Sequence, residues 1–129
     1  MIVVDTSVWI GHMRRADTSA VAKLRAIENP RDILVGDIIL LELLQGARDE
    51  RHAKTISSNM SAYLQEPMLS VDLAQKTARN FRLLRAAGIT IRKTSDLIIG
   101  TYCIEFGHYL LHEDRDFEPM VKHLDLKTL

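Results

Sequence analysis

Acidic residues follow the short apolar runs of this 129-residue chain in a regular way. Asp5 comes directly after one run, Glu42 lies in the apolar segment that follows another, and Asp96 opens a late segment. Asp114, with Asp116 nearby, follows a further run. Clustered carboxylates repel one another, and hard divalent cations such as Mg²⁺ or Mn²⁺ remove that cost. Such a cluster suits phosphodiester hydrolysis, in which metal ions activate water and stabilise the leaving oxygen.

Each of these acids also has a purely structural interpretation. Asp5 and Asp96 could be helix caps, because acids near helix starts are stabilised by the helix dipole. Glu42 could reach solvent at a helix edge or pair with a buried arginine, and Asp114 and Asp116 could be surface loop acids. The metal-site hypothesis therefore depends on whether the elements that carry these acids bring them together.

Strands alternate with helices along the chain. The apolar runs predict strands at 2–4, 33–35, 68–71 and 109–111, with a short edge strand at 124–126. The spacing and the capping residues predict helices at 8–15, 20–28, 38–45, 50–64, 72–87 and 97–106. This alternation is typical of α/β proteins with a parallel sheet covered on both faces. In such sheets the functional crevice lies beyond the carboxyl ends of the strands, where the acids fall.

Glu42 is the strongest single signal, because leucine and isoleucine flank it on both sides. A helix of that composition is expected to be buried nearly all round. A lone buried carboxylate is costly unless it is paired or metal-bound. Taken alone, this segment leaves the functional and the structural interpretation equally open.

Four segments resemble the motifs of PIN-domain ribonucleases, especially the VapC-type toxins of bacterial toxin–antitoxin pairs. They are MIVVDTSVWI at 1–10, ILLELLQG at 39–46, SDLIIG at 95–100 and YLLHEDRDF at 109–117. The resemblance implies a three-layer α/β/α PIN-like fold, with a central parallel sheet of four or five strands and a single domain over 1–129. It also implies an endoribonuclease that uses Mg²⁺ or Mn²⁺, a VapB-type antitoxin as partner, and a homodimer.

The same resemblance assigns roles to individual residues. It implies that the catalytic, metal-binding acids are Asp5, Glu42, Asp96 and Asp114. Asp116 becomes a fifth candidate ligand, and Thr6 or Ser7 would orient Asp5 or a water molecule. One departure is His112, which stands where the family usually has threonine or serine. A histidine there could hydrogen-bond to the carboxylates, contact phosphate, or disturb the metal geometry.

Basic residues are concentrated between Asp72 and Asp96, where no acid occurs. Three arginines recur at a spacing of three and form a ridge along one predicted helix. Without other information a solvated helix face explains them, but beside a nuclease site a track for RNA phosphates is the better hypothesis. The candidate RNA-binding residues are Arg79, Arg82, Arg85, Arg92 and Lys93.

The composition excludes several classes of protein. Lysine plus arginine equals 17 and aspartate plus glutamate equals 17, so the zero formal net charge excludes a generally basic nucleic-acid binder. The single cysteine excludes an internal disulfide and any multi-cysteine zinc site. We find no signal peptide and no apolar stretch of about 20 residues, and so expect a soluble protein of a reducing cytoplasm.

Two other α/β classes fit less well. Haloacid-dehalogenase phosphatases need a second aspartate two residues after the first, and here that position is Ser7. Receiver domains carry an acidic pair and a late lysine that are not evident here. The remaining alternative is a PIN-like domain that has lost catalysis and binds protein or RNA, an alternative that His112 keeps open.

Overall fold

Four short strands form the centre of the computed structural model, which describes residues 1–129. They are β1 (Ile2–Val4), β2 (Ile33–Gly36), β3 (Leu64–Glu66) and β4 (Tyr109–Leu111). All neighbouring strands pair in parallel, in the order β3-β2-β1-β4. The two central strands are apolar and almost wholly buried, as a parallel sheet with both faces covered requires.

Seven helices cover the sheet. They are α1 (Thr6–Met13), α2 (Ser19–Arg25), α3 (Asp37–Gln45), α4 (Glu50–Met60), α5 (Val71–Ala86), α6 (Thr94–Phe106) and α7 (Glu118–Leu124). Helices α1 to α4 form one contacting group and α5 to α7 another, so two helical layers enclose the strands. The predicted three-layer α/β/α architecture is thereby confirmed.

The turn from β1 into α1 occupies a single residue. The backbone N–H of Asp5 donates to the Leu111 carbonyl at 2.9 Å, which continues the β1–β4 ladder to its end. The Asp5 side chain then accepts from the backbone N–H of Ser7 and caps α1. Val8 and Trp9, the next apolar residues, are buried in the core. These contacts fix Asp5 at the carboxyl edge of the sheet.

Helix α3 is less buried than its composition predicts. Only Ile39 and Leu43 are buried, whereas half of Leu41 is exposed. The expectation of a helix buried nearly all round was therefore wrong. One apolar stripe faces the core, as in an amphipathic helix, and Glu42 lies beside that stripe in a half-buried position.

The predicted strand at 68–71 was wrong, because the third strand is β3 and α4 ends before it, at Met60. The strand Leu64–Glu66 lies at the sheet edge and is largely exposed, so it lacks the apolar run that identified the others. Met68 is buried for a different reason, since it packs beneath β2 while its backbone N–H donates to Asp37. Ser70 caps α5, which begins at Val71.

The predicted edge strand at 124–126 was also wrong. Helix α7 ends at Leu124, the first residue of that segment, and Leu126 is a buried anchor. The pairing with the sheet comes later, where Leu110 donates to the Lys127 carbonyl and accepts from the N–H of Leu129. A single bridge between Leu110 and Thr128 thus extends the sheet beyond β4.

Trp9 and Cys103, whose side chains could stack on a base or act as a nucleophile, lie in the core. Trp9 is 1% exposed and packs against Tyr63, with ring centroids 5.2 Å apart. Burial raises the pKa of the Cys103 thiol to about 12, so this cysteine remains a protonated, unreactive core residue. Among the helices, none has both the length and the apolar character needed to cross a lipid bilayer.

The close contact between Gly36 and Met68 generates a first prediction. A Cβ atom at Gly36 would lie 2.2 Å from the Met68 sulfur, inside the buried layer. We expect Gly36→Ala to lower the free energy of unfolding by about 1–3 kcal/mol through overpacking. The control is Gly46→Ala, whose new Cβ would meet no atom nearer than 3.5 Å and whose φ of −82° suits alanine. Urea denaturation should separate the two variants, and equal effects would contradict the packing argument.

Candidate metal centre

The four predicted catalytic acids line one cavity at the carboxyl edge of the sheet. The cavity has a volume of about 330 Å³, and its acids are Asp5, Glu42, Asp96 and Asp114. They arrive from four separate places: the end of β1, helix α3, the first turn of α6 and the loop after β4. The parallel topology accounts for three of the four, because it brings the carboxyl ends of β1, β2 and β4 to the same edge, while Asp96 reaches that edge with the start of α6.

The fifth acid joins the cluster from the loop after β4. Carboxylate oxygens of Asp96, Asp114 and Asp116 all lie within 4.8 Å of one another. The Asp114 side chain accepts from the backbone N–H of Asp116 at 2.9 Å, and this bond begins the 3₁₀ turn Arg115–Phe117. The turn therefore holds two carboxylates opposite Asp96.

Asp96 has the most perturbed environment of the five acids. It is 4% exposed, and its buried Oδ2 has no hydrogen-bond partner. Burial and, after it, the charges of Asp5 and Asp114 together raise the pKa of Asp96 to about 7, against a partial offset from Lys93. An unpartnered buried oxygen facing other carboxylates is the arrangement that a hard divalent cation relieves. The donor set, which consists of carboxylates, fits Mg²⁺ or Mn²⁺.

Asp5 is both a helix cap and a member of the acidic cluster. Its Oδ2 accepts from the Ser7 hydroxyl at 2.6 Å and from the Ser7 backbone N–H at 3.2 Å. Burial raises the pKa of the Asp5 carboxyl, and the charge of Asp114 adds to that rise, while the Ser7 hydrogen bonds oppose it. The structural and functional interpretations of Asp5 are therefore compatible.

Two hydroxyl groups hold Glu42. The Thr6 hydroxyl donates to Oε1 at 2.9 Å, and the Ser95 hydroxyl lies 3.5 Å from Oε2. No arginine pairs with Glu42, since the ion pairs of the chain are confined to Lys76 and its two acidic partners. Thr6 therefore orients Glu42, and it is Ser7 that orients Asp5.

His112 lies outside the cavity that the acids line. Its ring packs against Phe117 with centroids 5.0 Å apart, and its buried Nδ1 has no hydrogen-bond partner. No hydrogen bond joins His112 to the carboxylates, so that one of the three possibilities is not realised. His112 packs instead against Phe117, the last residue of the turn that contains Asp116.

Sequence reasoning missed two residues of the site, Ser95 and Gln45. Ser95 lies next to Asp96 within a group of three capping residues, which explained it as a helix start. Gln45 lines the acidic cavity and comes three residues after Glu42 on α3. Spacing of three on a helix places side chains on the same face, and that signal was present in the sequence.

The five basic RNA candidates are all exposed but do not share one surface feature. Lys93 precedes α6 and lines the acidic cavity. Arg82 and Arg85 border a separate cleft between α5 and α6. Arg79 and Arg92 line neither cavity.

Comparison with known families and sequences gives consistent matches. A family model described as "PIN domain" matches residues 2–122. A similar curated protein is Ribonuclease VapC11 of Mycobacterium tuberculosis, which is 30% identical over 133 residues. That alignment covers 99% of this chain and 97% of the relative.

Solved structures share the fold. A structure of VapBC2 from Rickettsia felis, bound to a DNA fragment from its promoter, superposes with a TM-score of 0.79 at 17% identity. The superposition covers 100% of this chain and 98% of that one. A toxin–antitoxin complex from Klebsiella pneumoniae gives a TM-score of 0.68 at 19% identity, with coverage of 91% and 90%.

The raised pKa of Asp96 predicts how stability depends on pH. The folded-state pKa of about 7 exceeds the ordinary 3.8, so folding favours the protonated acid. The metal-free protein should hold this stabilisation below about pH 4 and lose it as the pH rises through 7. Asp96→Asn should remove this pH dependence of stability. At pH values above 7, the melting temperature of the variant should exceed that of the wild type by about 5 °C.

Thermal melts from pH 4 to 8, with and without Mg²⁺, provide the measurement. The matched control is Asp32→Asn, because Asp32 is exposed and precedes β2 at the opposite end of the strands. Mg²⁺ should stabilise the wild type and the control more than Asp96→Asn. A melting temperature of Asp96→Asn that tracks the wild type at every pH would refute the electrostatic argument.

Proposed function

The chain belongs to the PIN domain family, and on that premise we propose that it is a Mg²⁺- or Mn²⁺-dependent endoribonuclease acting as the toxin of a toxin–antitoxin pair. The observation that carries the proposal is the buried, unpartnered Oδ2 of Asp96 among the other carboxylates. A domain with a purely structural role gains nothing from such repulsion, whereas a metal site needs it.

The five acids of the proposed site fall into two groups. Asp96, Asp114 and Asp116 approach one another closely enough to share a metal ion, and Asp5 and Glu42 complete the acidic wall. The metal, when bound, supplies an acidified water for attack on the phosphodiester and neutralises the developing charge.

Other residues of the cavity hold the acids in place or bind the substrate. Ser7 fixes the Asp5 carboxylate through two hydrogen bonds, and Thr6 fixes Glu42. The ammonium group of Lys93 lies at the same cavity, where it can bind a phosphate oxygen of the substrate. Fixed carboxylates of this kind need no reorganisation when the reaction begins.

RNA as the substrate is favoured by the relatives and by charge. VapC11 is named a ribonuclease, and its alignment with this chain runs end to end. We propose that the exposed basic residues bind RNA phosphates: Arg79, Arg82, Arg85, Arg92 and Lys93. Such contacts position the strand without selecting its sequence.

We further propose that the chain, as one domain over 1–129, forms a homodimer in the cytoplasm with a VapB-type antitoxin as its partner. The toxin–antitoxin complex from Klebsiella pneumoniae, which shares this fold, is a precedent for such an assembly. An acidic, largely desolvated cavity is well suited to an arginine from the partner, because a guanidinium can pair with carboxylates in a bidentate way.

A catalytically degenerate binding module is the alternative. It is disfavoured because all four acids line one cavity, and the position of His112 outside that cavity leaves the acids free to bind metal. No observation favours the alternative specifically.

Purified protein should cleave RNA in the presence of Mg²⁺ or Mn²⁺, and cleavage should stop when EDTA is added. Asp5→Asn and Glu42→Gln should each lower kcat more than about 100-fold, since even the hydrogen-bonding partners of metal ligands matter 10–100-fold. Thr6→Val should lower it about 10–100-fold by freeing Glu42. Asp32→Asn is the matched control and should cleave like the wild type. Cleavage that persists in EDTA would exclude the metal-dependent mechanism.

Expression of the protein alone should arrest bacterial growth, because cleavage of RNA stops translation. Co-expression of the antitoxin should restore growth, and the Asp5→Asn variant should be harmless at equal soluble abundance. The measurement is optical density after induction, with immunoblots to confirm abundance. Normal growth with abundant folded wild type would favour the binding-module alternative.

A further inference from the structure

A second cleft lies between α5 and α6, beside the acidic cavity. It has a volume of about 440 Å³, within the range of ligand pockets in proteins. Phe81, Leu97 and Ile98 give it apolar walls, and Arg82 and Arg85 stand at its border. An apolar cavity edged by two guanidinium groups has the chemistry of a site for a flat, anionic molecule.

The cleft contains a polar group that the fold leaves unpartnered. The Thr77 hydroxyl is buried, with the residue only 6% exposed, and it has no hydrogen-bond partner. One turn further along α5, by contrast, the Asn80 amide donates to the Thr101 hydroxyl and completes the polar contacts between the helices. Thr77 lines the cleft, so a ligand bound there can supply the hydrogen-bond partner that this hydroxyl lacks.

The first turn of α6 connects this cleft to the acidic cavity. Thr94 and Leu97 line the cleft, while Lys93 and Asp96 line the acidic cavity. No side chain caps the start of this 13-residue helix, so its first amide groups can meet an anion between the two cavities. The two cavities are therefore lined by adjacent residues of the same helix.

We infer that the cleft receives one unpaired base of the RNA whose scissile phosphate lies in the acidic cavity. The apolar walls, with Phe81 among them, provide the surface on which a base stacks, and the Thr77 hydroxyl meets its hydrogen-bonding edge. The guanidinium of Arg85 already lies 5.6 Å from the centre of the Phe81 ring, and together with Arg82 it faces the adjoining phosphates.

This inference rests on the proposed ribonuclease function and adds a base subsite to it. A base can enter the cleft only when it is unstacked, so the subsite requires an unpaired nucleotide beside the cleaved bond. A second copy of the chain is the rival occupant, since Leu69 at the cleft and Val71 beside it are exposed. RNA is favoured by the cationic border, the unpartnered hydroxyl and the continuity with the acidic cavity.

The test fills the cleft without touching the acids. Ala78 is exposed on α5 and lines the cleft, so Ala78→Phe should occupy the place of the base. Ala86→Phe is the matched control, because Ala86 is exposed on the same helix and does not line the cleft. Thr77→Val removes the hydroxyl and preserves the shape of the side chain.

The first readout is the Kd of a fluorescently labelled, single-stranded RNA of mixed sequence, measured in EDTA so that it is not cut. Ala78→Phe should weaken binding about tenfold, the typical effect of losing one stacked base, and Thr77→Val should weaken it about threefold. Ala86→Phe should bind like the wild type. All variants should retain the wild-type affinity for Mn²⁺, because the acids are unchanged.

The second readout uses adenosine 5′-monophosphate and ribose 5-phosphate as paired probes in NMR titrations. The nucleotide should shift the amide signals of Thr77, Leu97 and Ile98, and the base-free sugar phosphate should not. Equal shifts from both probes would indicate a phosphate site and would overturn the inference.

The remaining outcomes separate this inference from the proposed function. Unchanged RNA affinity of Ala78→Phe, with a wild type that binds Mn²⁺ and cleaves RNA, would overturn the base site alone. A wild type that neither binds Mn²⁺ nor cleaves RNA would overturn both. A lower molecular mass of Ala78→Phe in sedimentation would assign the cleft to an interface between copies of the chain and would also overturn the inference.

Discussion

Repulsion among buried carboxylates is the constraint around which this molecule is arranged. Asp5 and Asp96 are each 4% exposed, and neither pairs with a lysine or an arginine. Charges in such a position are tolerated only where the scaffold over-determines them. The scaffold does so for Asp5 with the β1–β4 ladder, which ends at that residue, and with the hydroxyl of Ser7. Stability is thereby sacrificed at one edge of the sheet, a common feature of functional sites.

The two cavities divide the chemistry between separate faces of α6. The first turn of that helix presents Asp96 to the acidic cavity and Leu97 to the apolar cleft. Consecutive residues of a helix point about 100° apart, so a single turn can serve two environments. The packing of α6 therefore holds an acidic and an apolar surface next to each other.

The sequence predicts those features that depend on local patterns. Short β-branched or leucine-rich runs identified β1, β2 and β4, because strands buried on both faces must be apolar throughout. The edge strand Leu64–Glu66 escaped prediction, since its pairing with β2 is a backbone interaction that leaves no apolar pattern. Met68 was wrongly placed in a strand, because tertiary packing against Gly36 buries this apolar residue although it lies outside any strand.

The candidate site also has features that the sequence predicts and features that it does not. The meeting of Asp5, Glu42 and Asp114 could be predicted because the carboxyl ends of parallel strands must meet, whereas Asp96 reaches the same edge from the start of α6, which follows a helix. The partner of Asp5 could also be predicted, because Ser7 is only two residues away. The partners of Glu42 could not, because nothing local in the sequence couples Ser95 to Glu42 across two elements. The sequence also does not indicate that the Thr77 hydroxyl lacks a partner, because its burial depends on the packing of α5 against α6.

The double role of Asp5 has a genetic consequence. Asparagine caps a helix about as well as aspartate does, so an asparagine at this position would keep α1 in place while removing a charge from the cavity. The codons of the two amino acids differ by one base, so under the proposed function a single transition would separate an active protein from a folded, inactive one. The inactive protein would keep the surfaces that lie outside the acidic cavity.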